Sequence, residues 1–211
     1  MKFQVSMGSD CREVREGHRE ELSTNIVILS AEFEVEPSQL WLYLTTQKGL
    51  AKWFGVVSGE LSLRGGFSVK DNASGTILEC VREKSIAATW EFAGDISWVH
   101  ISLKKFGMKT KLILEHEMPI TPSSQKHWDK FGPGASGVGW DCAFLGLKGV
   151  IESNAQSSAE QSYVWLETED GMSALREWAV SWGTAHTQTG EDSNVAKQMA
   201  LQTAAFYCGE T

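Results

Sequence analysis

The sequence lacks the features that mark metal-binding, redox or membrane-spanning proteins. It has four cysteines in 211 residues, no CxxC pair, and no histidine at metal-ligand spacing from a cysteine or another histidine. No segment approaches the roughly 20 apolar residues of a membrane span, and residues 1–10 contain no apolar run typical of a signal peptide. We therefore expect a cytoplasmic protein with free thiols, no metal and no cofactor.

Clusters of basic residues are also scarce. The formal net charge is −8, from 19 Lys and Arg against 27 Asp and Glu. Nucleic acids and anionic membranes attract proteins through clustered Lys and Arg, and the densest basic stretch, residues 104–111, straddles Gly107 in a predicted hairpin. We interpret this stretch as a solvated turn, and we expect neither nucleic acid nor membrane as a partner.

The sequence is rich in tryptophan. Nine tryptophans accompany a hydrophobic content of 42%, which is typical of a folded domain with a sizeable core. Tryptophan is large and apolar and carries a single hydrogen-bond donor, so it suits cores, pocket walls and interfaces.

Alternating apolar residues predict an antiparallel sheet. A strand is predicted over residues 25–35, after which Pro37 begins a short helix and Thr46 caps a second one. Six further short strands follow between turns rich in glycine, and they are predicted over residues 56–63, 67–70, 76–82, 86–92, 98–105 and 110–117. Residues 118–136 hold three of the four prolines, which predicts a long loop.

Helical periodicity dominates the remainder of the chain. A long helix is predicted over residues 137–155, with one apolar stripe that consists of Trp140, Phe144, Leu147 and Ile151. Two more amphipathic helices are predicted at residues 173–187 and 193–207. Their stripes contain Leu175, Trp178 and Trp182 on the first helix, and Val195, Met199 and Phe206 on the second.

Four stretches in this order resemble one known family. They are VEPSQLWLYLTTQKGLAKWFG (35–55), GTILECVREKSIAATWEF (75–92), TKLILEHEMP (110–119) and GVGWDCAFLGLKGVIE (137–152). Together they are similar to the SRPBCC (START-like) superfamily, in its branch named for homology to the activator of the heat-shock chaperone ATPase. The resemblance implies an α+β helix-grip fold, in which a curved antiparallel sheet of six to seven strands wraps around a long C-terminal helix. An apolar cavity is expected between the sheet and this helix.

The resemblance covers only part of the chain, which suggests three regions. We expect a polar N-terminal arm over residues 1–24, a helix-grip domain over 25–156 and a helical C-terminal extension over 157–211. Apolar stripes cannot stay exposed on a soluble acidic protein. The extension is therefore predicted to pack on the domain, where Trp98 and His100 offer an aromatic outer face, or on a partner subunit in a homodimer.

Eight residues of the expected cavity are candidates for ligand binding: Trp53, Glu79, Trp90, His116, Trp140, Phe144, Leu147 and Ile151. Plain core packing is the alternative for the apolar ones. His116 is predicted to face inward near the cavity mouth, where it could contact a ligand, act as an acid or base, or serve a structural role. Glu79 is predicted to face inward too and would need a partner such as His116. Asp141 lies off the apolar stripe and is expected to be solvated.

The leading hypothesis is that the cavity binds an apolar or amphipathic small molecule. One alternative is an enzyme of the polyketide cyclase or dehydratase type that uses His116 and a cavity carboxylate. The other is a protein-interaction or co-chaperone-like module with a chaperone as partner. The sequence shows no nucleophile–base pair, no phosphate-binding loop and no set of metal ligands.

Overall fold

A computed structural model of the chain describes residues 10–153 and 158–210. Its centre is one eight-stranded antiparallel sheet with the order β1-β2-β8-β7-β6-β5-β4-β3. The strands are β1 (Cys11–Arg19), β2 (Leu22–Phe33), β3 (Val57–Gly59), β4 (Gly66–Val69), β5 (Ser74–Val81), β6 (Ser85–Phe92), β7 (Asp95–Phe106) and β8 (Lys109–Pro119).

Seven helices accompany the sheet in the described residues. They are α1 (Pro37–Thr45), α2 (Gln47–Trp53), α3 (Pro122–Phe131), α4 (Gly134–Glu152), α5 (Ala159–Leu166), α6 (Glu169–Thr187) and α7 (Ser193–Tyr207). The long helix α4 contacts β2 on one side and α6 and α7 on others. This arrangement confirms the predicted α+β helix-grip fold, with one strand more than the six to seven expected. None of the described helices combines the length and the apolar character needed to cross a membrane.

The extra strand is β1, and it corrects the prediction of a peripheral arm over residues 1–24. Residues 11–19 pair with β2 along their whole length, from Cys11 opposite Ser30 to Arg19 opposite Leu22. The pattern is hidden in the sequence because Val14 is the only buried apolar residue of β1. Residues 1–9 of the predicted arm, and the predicted domain boundary between residues 156 and 157, lie outside the described residues.

The predicted long loop over residues 118–136 is also wrong, because it contains α3. Thr121 caps this helix, since its hydroxyl accepts from the amide of Ser124 and the Ser124 hydroxyl accepts from the amide of Thr121. Pro122 occupies the first helical position, where its fixed φ is favourable. Gly132 ends the helix at φ +60°, a conformation that glycine adopts without steric cost.

The close approach of other elements to α4 explains two of its glycines. A Cβ at Gly137 would lie 2.3 Å from the ring of Trp182 in α6, and one at Gly146 would lie 2.7 Å from the carbonyl oxygen of Trp53 in α2. Both distances are below van der Waals contact. The glycines therefore allow α2 and α6 to pack directly on the backbone of α4, at the cost of helix propensity.

The two predicted tail helices exist as α6 and α7, but their docking site differs from the prediction. Leu175, Trp178 and Trp182 are buried, and α6 contacts α4 and β1 rather than the outer sheet face with Trp98 and His100. On α7 the buried stripe contains Ala196, Met199, Ala200 and Thr203, whereas the predicted Val195 and Phe206 are exposed. The buried side chains of α7 are smaller than those of the predicted stripe, because small residues such as Ala196 and Ala200 allow this helix to pack closely on Gly183 of α6.

Candidate functional site

An apolar cavity of about 100 Å³ lies within the helix-grip fold, between the sheet, α2 and α4. Eighteen residues line it, and all of them have aliphatic or aromatic side chains. They are Leu44, Leu50, Trp53, Phe54, Val57, Leu61, Phe67, Val69, Ile77, Ile86, Ala88, Trp90, Val99, Ile101, Leu112, Leu114, Trp140 and Phe144. An engineered apolar cavity of about 150 Å³ binds benzene, so the space suits a compact ligand.

Aromatic rings form one side of the cavity. The centroids of Trp90 and Trp140 lie 5.5 Å apart, and Phe54 lies 6.1 Å from Trp90 and 6.3 Å from Trp140. The rings of Phe54 and Trp140 are nearly parallel, with 4° between their planes. Phe67 extends the cluster at 6.2 Å from Trp90. Such arrangements let each ring contact the edge or face of its neighbours.

A chain of hydrogen bonds behind this wall fixes its tryptophans. Nε1 of Trp140 donates to Nδ1 of His116 at 3.1 Å, and Nε2 of His116 lies 2.8 Å from the hydroxyl of Ser97. That hydroxyl donates to the backbone carbonyl of Trp90 at 3.0 Å. Because an indole nitrogen only donates, Nδ1 of His116 must be unprotonated, and its Nε2–H donates to Ser97.

His116 is therefore a neutral, fully engaged histidine. Burial lowers its pKa from 6.5 to about 4, because the charged form would be desolvated. Both ring nitrogens already have partners, and His116 is not among the residues that line the cavity. It lies one residue behind the wall, in contact with Trp140.

The prediction that Glu79 faces inward is wrong. The pairing of β5 with β6 shifts between Ile77 and Glu79, and this β-bulge turns Glu79 to the outer face, where it is exposed and accepts from the hydroxyl of Ser85. Ile77 keeps its inward position and lines the cavity. No carboxylate is found among the described lining residues.

The remaining candidates divide into two groups. Trp53, Trp90, Trp140 and Phe144 line the cavity. Leu147 and Ile151 are buried in the core but do not line it, because they lie further along α4.

Sequence reasoning missed two aromatic wall residues, Phe54 and Phe67. Phe54 directly follows Trp53, the last residue of α2, and Phe67 is the second residue of the short strand β4. The available signal was their position in the sequence, since Phe54 lies in the stretch 35–55 that resembles the family and Phe67 begins the strand predicted over 67–70.

Asp141 is buried, although a solvated position was expected. Its carboxylate accepts from Nη2 of Arg12 at 2.7 Å, from Nε of Arg12 at 3.3 Å and from Nε1 of Trp182 at 2.8 Å. Burial raises the pKa of Asp141 to about 6, although the neighbouring Arg12 acts in the opposite direction. Asp141 faces away from the cavity and joins three elements, namely β1, α4 and α6.

Comparisons with known proteins agree with this geometry. The family model for activator of Hsp90 ATPase homolog 1-like proteins matches residues 34–152, which is more than half of the chain. No curated protein matches.

Solved structures show the same fold at low sequence identity. The crystal structure of CalU16 from Micromonospora echinospora is 23% identical and covers 74% of this chain and 96% of that chain, with a TM-score of 0.59. The solution NMR structure of CalU16 is 20% identical, covers 97% of both chains and has a TM-score of 0.62. Protein MLL2253 from Mesorhizobium loti is 18% identical and covers 61% of this chain and 97% of that chain, with a TM-score of 0.53.

Proposed function

The chain belongs to the family of activator of Hsp90 ATPase homolog 1-like proteins, and from this premise we propose that it binds an apolar small molecule in the cavity between the sheet and α4. The observation that carries the proposal is the composition of the wall, in which all eighteen side chains are aliphatic or aromatic. Small-molecule sites are typically concave and mostly apolar. This wall fits a ligand that is driven in by removal of apolar surface from water.

The energetic cost of the cavity supports the same interpretation. An unfilled apolar cavity destabilises a core by about 24 cal/mol per Å³. For a volume of about 100 Å³ this amounts to about 2 kcal/mol. A bound apolar molecule would recover that energy by restoring van der Waals contact with the wall.

A cavity-filling substitution tests the proposal. Ala88 lines the cavity, whereas its neighbour Ala87 lies on the outer face of the same strand. We expect benzene to bind the unaltered protein, as measured by calorimetry, and Ala88→Leu to weaken that binding at least tenfold. Ala87→Leu is the matched control and should bind normally. Equal binding by both variants would show that benzene occupies another place.

The geometry does not support the alternative of a cyclase or dehydratase. General acid–base chemistry needs a titratable group within reach of the substrate. The described lining residues include none, since Glu79 lies on the outer face and both nitrogens of His116 are engaged.

A second candidate function is contact with a chaperone. The β7–β8 hairpin tip presents Phe106 and Met108, with 68% and 76% of their surface exposed, on either side of Gly107. Exposed apolar side chains of this size are suited to a protein interface. The family name refers to activators of the Hsp90 ATPase, so the assay is the ATPase rate of Hsp90 in the presence of the chain.

We expect the double variant Phe106→Ser, Met108→Ser to lose any stimulation of that ATPase. Leu42→Ser is the control, because Leu42 is also exposed but lies on α1. If the unaltered chain leaves the ATPase rate unchanged, this second candidate is discarded.

A further inference from the structure

The hydrogen-bonding capacity of the cavity wall is confined to three indole groups. Apart from Trp53, Trp90 and Trp140, the lining consists of leucine, isoleucine, valine, alanine and phenylalanine, whose side chains neither donate nor accept. The polar recognition that the lining side chains can offer a ligand therefore comes down to these three N–H groups.

Two of the three groups already have partners. Nε1 of Trp53 donates to the backbone carbonyl of Tyr43 at 3.0 Å, and Nε1 of Trp140 donates to Nδ1 of His116 at 3.1 Å. An indole has one N–H, so neither residue has a donor left for a ligand.

Trp90 differs from both. Within residues 10–153 and 158–210, no group accepts a hydrogen bond from its Nε1. That nitrogen is also accessible to a molecule the size of water. Among the same described residues, Nδ1 of His186 is the one side-chain nitrogen or oxygen that is both fully buried and without a partner, so the unpaired Nε1 of Trp90 is not fully buried. The ring itself is held in place, with Phe54, Phe67 and Trp140 centred within 6.2 Å of it.

We propose that the indole N–H of Trp90 donates the single side-chain hydrogen bond that this cavity offers, and that the ligand is a flat, uncharged aromatic molecule bearing a carbonyl or similar neutral acceptor. The inference rests on the proposed function of the cavity. Six aromatic side chains in the wall favour a flat aromatic partner. A charged ligand is disfavoured, because no lining side chain carries an opposite charge and burial of an unpaired charge is costly.

A pair of matched probes tests the proposal. Benzaldehyde and toluene share a single flat ring and differ by one carbonyl group. We expect Trp90→Phe, which also removes part of the wall, to weaken the binding of benzaldehyde about two- to tenfold more than the binding of toluene, which is the range of one neutral hydrogen bond. Calorimetry with both probes measures the ratio of the two dissociation constants.

The matched control is Trp53→Phe. It removes an indole from the same wall, but its N–H is committed to Tyr43. This variant should change the binding of both probes by the same factor. The ratio of the two dissociation constants should therefore stay at its unaltered value.

A second measurement covers the case in which Trp90→Phe fails to fold. In the unaltered protein, the ¹H–¹⁵N resonance of the Trp90 indole should shift downfield with benzaldehyde but not with toluene. The carbonyl stretch of bound benzaldehyde should also move to lower frequency than in hexane.

The outcomes separate the two proposals. If neither probe binds, the cavity function and the role of Trp90 are both wrong. If both probes bind, but Trp90→Phe leaves the ratio of their dissociation constants unchanged and the carbonyl does not shift the indole resonance, only the role of Trp90 is wrong.

Discussion

Asp141 in α4 and Arg12 in β1 are 129 positions apart in sequence and form a buried, two-point ion pair, with Oδ1 lying 2.7 Å from Nη2 of Arg12. A second buried pair lies nearby, since Nζ of Lys148 in α4 lies 2.5 Å from the carboxylate of Asp10, the residue that precedes β1. Each acidic residue therefore lies opposite a basic one, with Asp10 paired to Lys148 and Arg12 paired to Asp141. A shift of β1 along α4 would place like charges together, so the two pairs fix the register of the edge strand.

We expect Arg12→Ala to be strongly destabilising, because it leaves the Asp141 carboxylate buried without its counter-ion. Removal of one partner of a buried pair typically costs about 3–5 kcal/mol. Arg15→Ala is the control on the same strand, since the Arg15–Glu13 pair is exposed and such pairs contribute about 0–1 kcal/mol. Urea unfolding measures both variants, and similar losses for the two would contradict the role assigned to the buried pair.

The fold was largely predictable because most of its elements carry local periodicity. The alternation in β7 and β8, the Thr46 cap and the stripe of α4 are all readable over a few residues. The strand β1 and the burial of Asp141 were not predictable. Each depends on the other through the contact between Arg12 and Asp141, which are far apart in sequence. Helix α4 is covered by β2 on one side and by α6 on another, so a second face is buried that a search for one apolar stripe does not detect.

The candidate site was predictable only in part, for similar reasons. The tryptophans of the wall were identified from helical and strand spacing. Glu79 was misplaced because the bulge after Ile77 interrupts the alternation, and nothing in the neighbouring residues indicates it. The hydrogen bonds that engage His116 come from Trp140 and Ser97, which are distant in sequence and meet only in the fold.

Two buried groups should make opposite contributions to the pH dependence of stability. Burial lowers the pKa of His116 to about 4, so between pH 4 and 6.5 the unfolded chain binds this proton and the folded chain does not. Stability from His116 therefore increases with pH in that window. Burial raises the pKa of Asp141 to about 6. Its contribution is fully present below about pH 4 and is lost as the pH rises through 6.

The two slopes have opposite signs over nearly the same range, so they should offset each other in the unaltered protein. We expect Asp141→Asn to show a free energy of unfolding that rises from pH 4.5 to 6.5. His116→Gln should show one that falls over the same range. Unfolding curves at four or five pH values would test this, and identical slopes in the two variants would refute the assignment.

His116 is expected to matter for stability through its two hydrogen bonds. His116→Phe keeps an aromatic ring of similar size but leaves the buried indole N–H of Trp140 without an acceptor, which costs about 1–3 kcal/mol. His100→Phe provides the control, because His100 lies partly exposed on the outer face of β7 and surface changes usually stay within about 0.5 kcal/mol. If His116→Phe unfolds at the same urea concentration as the control, the hydrogen-bond chain behind the wall is not structural.

Removal of the C-terminal helices should expose a large apolar surface on α4 and β1. Trp182 is fully buried and its Nε1 donates to Asp141, while Leu175 and Trp178 are buried in the same core. A chain that ends at Ser158 loses all three, and Gly137 then lies at an uncovered surface. We expect this shortened chain to bind a hydrophobic dye and to aggregate.

A chain that ends at Gly190 retains α6 and loses only α7, so it should bind less dye and melt at a higher temperature than the shorter chain. The opposite result would be a chain ending at Ser158 that is monomeric, binds no dye and melts at the temperature of the full chain. It would show that the C-terminal helices do not stabilise the core, although Trp178 and Trp182 are buried there.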